Sequence, residues 1–248
     1  SSALPTVLKL LAGDPDAGVR EAAAGAVGRL GTATDALFAL RERLDPRVET
    51  SAAVQARAWE AYLQVFERLA IEEQQRVVEG WTGDGISASR RIDLLVAIEK
   101  RATALQLPDE QLAGIREQLG DALISQSRPA DAAPVLARSL DAMKTADPAA
   151  RIRVAVKMID SYLSTAPEKA IVAAAAVPNG PARDAVVERL VEYLDAASKR
   201  DPEAAKLMLD RVSEAVPDLF GPQYASRFDG IRKALPATSQ PASSPAAG

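Results

Sequence analysis

Apolar residues recur along this chain at helical spacing, and alternating runs of β-branched residues are scarce. Val19, Ala23, Ala26 and Leu30 follow i, i+4, i+7 and i+11, which places them on one side of a helix and predicts that side, Leu30 included, as core-facing. Val54, Ala58, Ala61 and Val65 repeat the same spacing 35 residues later. Asp-Pro pairs punctuate the pattern at Asp14-Pro15, Asp45-Pro46, Asp147-Pro148 and Asp201-Pro202. An aspartate at N-cap accepts from unpaired helix N–H groups, and proline at N1 sacrifices no hydrogen bond, so each pair predicts a helix start. Pro108, Pro129 and Pro167 carry a weaker form of that signal. The marks predict helices over about 3–12, 15–30, 33–44, 52–69, 71–80, 87–105, 109–126, 130–144, 148–165, 168–176, 181–198, 202–216 and 222–234.

Connections of two to six residues make consecutive helices antiparallel neighbours, and tandem pairs with a period near 35 residues point to stacked repeats. Fifty alanines fit that arrangement, because alanine favours helix and lets neighbouring axes approach closely. Leu37, Leu40, Leu44, Trp59, Tyr62 and Phe66 are expected in the first layers. The first helix, with Leu4, Val7, Leu8, Leu10 and Leu11, is apolar enough to need a cover from another repeat or another molecule.

The run Asp14-Pro-Asp-Ala-Gly-Val-Arg-Glu-Ala-Ala-Ala, preceded by a leucine-rich helix and followed by Val27-Gly-Arg-Leu-Gly, resembles a HEAT repeat. Asp14, Val19, Arg20, Ala23 and Ala24 occupy the pattern, and the resemblance implies an Asp–Arg ladder between successive repeats. A second unit keeps Asp45-Pro46 and Val54 but has Gln55 at the arginine position and an insertion around 49–52. Further on, Leu119-Gly120, Leu123, Ala132 and Leu136 resemble a tetratricopeptide (TPR) repeat, in which the glycine and small alanine let paired helices cross closely. Arg116 and Ser139 depart from that pattern. The fold expected is all-α, a right-handed α-solenoid of antiparallel helix pairs. Its divisions would be HEAT-like repeats over 1–80, a glycine-rich joint over 81–86, TPR-like hairpins over 87–234 and a Pro/Ser/Ala tail over 235–248. The start at Ser1, without methionine or a signal peptide, suits a processed end or a fragment of a longer chain.

Composition narrows the chemistry. There is no histidine and no cysteine, which removes thiol nucleophiles, Ser–His–Asp triads and the usual zinc and haem sites, so no cofactor or metal is expected. A net charge of −4 argues against a nucleic-acid surface. No apolar run reaches the roughly 18–20 residues of a membrane span. Twenty-two arginines against eight lysines, with abundant alanine, suit a GC-rich bacterial genome and fix no compartment.

Two stretches stand out as candidate sites. The segment 80–91 carries three glycines within six residues, then Ser87, Ser89, Arg90 and Arg91. Ser87 or Ser89 would cap the following helix, and Trp81, Asp84, Arg90 and Arg91 would form either a hinge or an anion-holding loop. In the TPR-like hairpin, Glu117, Gln118, Asp121 and Ser125 share one helix face and would line an acidic groove suited to a neutral or basic ligand. The acid pairs Glu72-Glu73 and Asp109-Glu110 sit where helices begin and read as dipole partners. The expected function is a non-catalytic scaffold presenting a curved helical surface to a protein or peptide. The alternatives are an enzyme of the bilin-lyase or DNA-glycosylase type, activities found among HEAT-like proteins, and a spacer within a longer envelope protein.

Overall fold

The computed structural model describes residues 3–31, 34–81, 85–215 and 222–235. Among them every regular element is an α-helix, and the thirteen pack as sequential antiparallel pairs. Their contacts separate two compact units, residues 1–106 and 107–248. The first holds α1 (Leu4–Gly13), α2 (Ala17–Leu30), α3 (Thr34–Glu42), α4 (Ala52–Phe66), α5 (Ile71–Glu79) and α6 (Gly85–Ala104). The second holds α7 (Asp109–Ser125), α8 (Pro129–Ala142), α9 (Pro148–Thr165), α10 (Pro167–Ala176), α11 (Pro181–Arg200), α12 (Pro202–Ala215) and α13 (Pro222–Ala234). The chain changes unit just beyond α6, where Gln106 takes the left-handed region (φ 54°) and Pro108 disfavours helix at Leu107. Within the 81–86 stretch expected as a joint, Trp81 is buried in the first unit and residues 82–84, Asp84 among them, lie outside the described residues. So does the tail from 236 onward.

Partners within each unit follow a stacking rule. In the first, α1 pairs with α2 and α3 with α4, while α2 lies on α4 and α1 on α3. In the second, α7 pairs with α8, α9 with α10 and α11 with α12, while α8 and α11 both lie on α9 and α10 lies on α12. Each hairpin thus covers the apolar side of the next.

Local chemistry starts these helices, though not always at the expected residue. Asp147 accepts from the Ala150 N–H (3.3 Å) and Asp201 from the Ala204 N–H (3.0 Å), as their Asp-Pro pairs predict. Asp14 instead closes α1, and α2 is capped by Asp16, whose carboxylate accepts from Gly18 (2.6 Å) and Val19 (3.3 Å). Asp45 heads a short turn and is clasped by Arg47 at 2.7 Å; Ser51 caps α4. Ser87 and Ser89 cap nothing, because α6 has already begun at Gly85. The turn between α7 and α8 closes through Ser127 in the left-handed region (φ 55°), with the Arg128 N–H donating to Leu123 O and the Ser127 N–H to Ile124 O.

The face of α2 departs from expectation. Val19 and Leu30 are exposed (37% and 40%), and the buried side carries Ala23, Ala24, Gly25, Val27 and Gly28. Small residues win because α2 lies close against α4. A methyl placed on Gly28 would stand 2.9 Å from the Ala61 Cα, an approach that only glycine permits without backbone movement. Val54, Ala58, Ala61 and Val65 are all buried, as their spacing predicts. Of the expected layer residues, Leu37, Leu40, Leu44, Tyr62 and Phe66 are buried and Trp59 is half-buried. On α1 only Leu11 is buried, and Leu10 remains 40% exposed.

Arginines tie successive hairpins together in the first unit. Arg20 forms a forked pair with Glu49 (2.7 and 2.9 Å) and donates to the carbonyls of Asp14 and Pro15. The ladder partner is therefore a glutamate from the 49–52 insertion and not an aspartate. Arg68 donates to Gly28 O and Gly31 O at the end of α2, and 33 residues later Arg101 donates to Glu67 O and Leu69 O at the end of α4. Both satisfy carbonyls that the helix leaves open and place positive charge at the negative end of its dipole.

Two outcomes follow from this packing. Gly28→Ala lowers stability by about 1–3 kcal/mol through overpacking, whereas Gly114→Ala, at a solvent-facing site in α7 with nothing within 4 Å, raises it by about 0.4–1 kcal/mol; urea unfolding followed by circular dichroism reads both. Glu49 is held below its ordinary value of 4.5 chiefly by the hydrogen bond from Arg20. Its contribution is complete above 4.5 and disappears as pH falls through the lower folded value, so thermal midpoints of the parent and Glu49→Gln differ at pH 7 and converge in acid.

Candidate functional site

An aromatic cluster occupies the first unit. Trp59, Tyr62 and Phe66 recur at three- and four-residue steps along one side of α4, so their rings stack: 5.6 Å between Trp59 and Tyr62, 6.5 Å between Tyr62 and Phe66. Trp81, just beyond α5, packs edge-on against Tyr62 at 5.4 Å and Trp59 at 5.8 Å. Its indole Nε1–H donates to the Tyr62 hydroxyl at 2.8 Å, satisfying both groups in a buried position. Burial pushes the Tyr62 phenol above its usual value.

Two guanidinium groups rest on this cluster. Arg41 of α3 lies 4.7 Å from the Trp81 ring centre and donates to Gly80 O at 2.9 Å. Arg90 of α6 lies 5.3 Å from the Trp59 ring centre, with one long contact of 3.5 Å to Leu44 O. Burial lowers the pKa of Arg90, so its charge is held at a cost. Neither arginine is ion-paired with a carboxylate among the described residues. Both border a cleft of about 710 Å³, with Phe38, Leu44, Val48 and Trp81 on its walls. Phe38 is 72% exposed and Val48 46%. The acids at the rim are engaged elsewhere: Asp45 is gripped by Arg47, whose hydrogen bonds pull its pKa down to about 2, and Glu42 is 3.4 Å from Arg43.

Of the residues singled out in the 80–91 stretch, Trp81 and Arg90 meet at this cleft. Arg91 does not line it, and its half-buried side chain leaves Nε without a hydrogen-bond partner. Phe38 and Arg41 were missed. Their signal was a phenylalanine lying off the Leu37–Leu40–Leu44 stripe, a position that leaves a large ring facing water, with an arginine bordering that stripe.

In the second unit, Glu117 and Asp121 come together through α9. Arg153 donates to Glu117 at 2.7 and 3.1 Å, and Lys157 bridges Glu117 (3.1 Å) and Asp121 (2.8 Å). Arg153 first, and then Lys157, holds Glu117 below the usual carboxylate range. Burial works against the charge on Lys157, but its bonds to Asp121 and Glu117 outweigh it and raise its pKa. Gln118 is half-buried on the same helix, and Ser125 turns its hydroxyl to Ala122 O at 2.7 Å. Two acids are thus balanced by two bases, which removes the electrostatic basis for preferring a basic ligand on this face. Asp160 and Arg189 form a second forked pair, between α9 and α11 (2.9 and 3.0 Å).

A smaller groove of about 190 Å³ runs between α10 and α12, lined by Ile171, Tyr193, Ala197, Leu207 and Met208. Leu207 is 57% exposed, and Val172 nearby is 68% exposed. No group of metal-ligating side chains occurs among the described residues, and none of the described helices is long and apolar enough to cross a membrane.

Residues 3–33, the stretch of α1 and α2, match the family model of the HEAT repeat. The chain is thus a helical protein carrying a HEAT repeat. No curated protein and no solved structure matches it. The tetratricopeptide expectation for the second unit has no such support, and the hairpins there stand on their packing alone.

The hydrogen bond at the centre of the cluster has a measurable weight. Tyr62→Phe leaves the buried Trp81 N–H unpaired and destabilises the first unit by about 1–3 kcal/mol. Thermal unfolding followed by near-ultraviolet circular dichroism detects the loss.

Proposed function

We propose that this chain is a non-catalytic binding scaffold that presents helical surfaces to a protein or peptide partner. The HEAT repeat at 3–33 is of a kind that typically binds proteins. The observation that carries the reading is the cleft beside Trp81, where exposed apolar side chains adjoin two guanidinium groups that form no ion pair with a carboxylate among the described residues. Such a surface offers contact area together with fixed donors, which is what recognition of a polypeptide requires.

The chemistry of the side chains supports a role without catalysis. Histidine and cysteine are missing from the sequence. Among the described residues, the carboxylates with displaced pKa values, Asp45, Glu49 and Glu117, are shifted downward by basic partners, whereas a carboxylic general acid works with its pKa shifted upward. The net charge of −4 supports a protein partner over a nucleic acid. The second unit, read as TPR-like hairpins, would extend the scaffold.

Affinity capture of the tagged chain from its native cell, followed by reconstitution from purified components, tests this. The expected result is a polypeptide that rebinds the purified chain in a fixed ratio. Failure of every captured polypeptide to rebind, or turnover of a small molecule by the purified chain, overturns the reading.

A further inference from the structure

We propose that the cleft beside Trp81 takes an acidic segment of the partner polypeptide, with carboxylates against Arg41 and Arg90 and one bulky apolar side chain against Phe38 and Val48. The proposal rests on the scaffold reading and adds the surface and the chemistry of what binds there.

The argument begins with the arginines. A guanidinium has five N–H donors in one plane, and a ring beneath it satisfies none of them. Arg41 spends one donor on Gly80 O, and Arg90 makes one long contact with Leu44 O. Most of their donors therefore stay free while the rings hold the planes in place. Both cations sit on a single aromatic cluster, since the Trp59 and Trp81 rings are only 5.8 Å apart. Two like charges bordering one cleft, Arg90 half-buried and Arg41 exposed, favour an anion beside them.

Carboxylates answer that need, because a guanidinium edge receives their two oxygens in a forked geometry. The neighbouring arginines are already occupied: Arg47 grips Asp45 at 2.7 Å and Arg43 sits by Glu42. Of the arginines lining the cleft, Arg41 and Arg90 are thus the two outside an ion pair among the described residues, with Asp93 acting on Arg90 from a distance. A free inorganic anion would leave the apolar wall unused. Phe38 projects into water from α3 at 72% exposure, and Val48 is 46% exposed on the following turn. A peptide with acids flanking a large apolar residue uses both features at once, and 710 Å³ accommodates several side chains. The chain as a whole is acidic, so discrimination in favour of an acidic partner must come from this local charge.

The cleft contains its own reporter. The two tryptophans of the chain, Trp59 and Trp81, are the rings under the two arginines. The full chain is titrated with blocked pentapeptides Glu-Glu-Phe-Glu-Glu, Gln-Gln-Phe-Gln-Gln and Lys-Lys-Phe-Lys-Lys, following tryptophan emission and heat. The acidic peptide is expected to bind with an emission change, to weaken as salt rises and to exceed the other two in affinity by about tenfold or more. Arg41→Gln and Arg90→Gln each weaken it by about tenfold, Arg90→Lys by less, and Phe38→Ser weakens it without altering the fold. Arg153→Gln, which removes the same charge from the second unit, leaves the affinity unchanged. Equal binding of the three peptides, equal loss in Arg153→Gln, or tighter binding of inorganic phosphate or a ten-residue oligothymidylate overturns the proposal. A reconstituted partner that still binds Arg41→Gln/Arg90→Gln at full affinity also overturns it, while leaving the scaffold reading intact.

Discussion

The contact between Gly28 and Ala61 states the constraint under which the first unit is built. A hairpin of two short helices cannot bury its own apolar side, so its second helix must lie close against that of the next hairpin. Close approach is possible only where side chains are small, and α2 meets α4 with a face of alanine, glycine and valine. The second unit solves the same problem within a pair: a methyl on Gly120 would stand 2.5 Å from a terminal carbon of Leu136, so α7 and α8 cross over the glycine. What the small residues lose in transferred area they recover in proximity, which brings the larger side chains of the opposite helix into contact.

Charge then sets the register between hairpins. Arg20 with Glu49, Glu117 with Arg153 and Lys157, and Asp160 with Arg189 each join one hairpin to the next. The Arg20–Glu49 pair is largely buried; exposed pairs such as Asp160–Arg189 contribute little stability singly, but forked geometry disfavours sliding by a helical turn. Arg68 and Arg101 act differently, closing carbonyls at the ends of α2 and α4. They turn the C-terminal ends of two stacked helices, α2 and α4, into similar joints, and so make part of the repeat electrostatic.

Against that background the Trp81 cleft is unlike the rest of the described surface. Arg20, Arg68, Arg101, Arg153 and Arg189 end on carboxylates or helix carbonyls, and their charge is consumed by the fold. Arg41 and Arg90 end largely on ring faces, which position a guanidinium without neutralising it. Four of the chain's ten aromatic residues gather in one cluster, and one of those rings, Trp81, lines the cleft.

The number of helices and most of their ends were legible in the residues alone. Caps, prolines and turn residues act within a few positions of themselves, and Asp147 and Asp201 work where their sequence places them. The inward side of α2 was not legible, because alanine on every side gives almost no hydrophobic contrast and only the position of Ala61 decides which side must be small. The same holds for the charges. Glu117 and Asp121 share a helix face by sequence, yet whether that face is acidic depends on Arg153 and Lys157, carried in by another helix. Trp81 and Arg90 were recognisable as candidates, whereas Phe38 and Arg41 became so only when α3 was laid beside them. Sequence by itself determined the helices and their antiparallel order, since those follow from short-range capping and loop length. Tertiary structure alone decided which faces are buried and which charges remain unspent, since both depend on residues distant along the chain meeting across a helix interface.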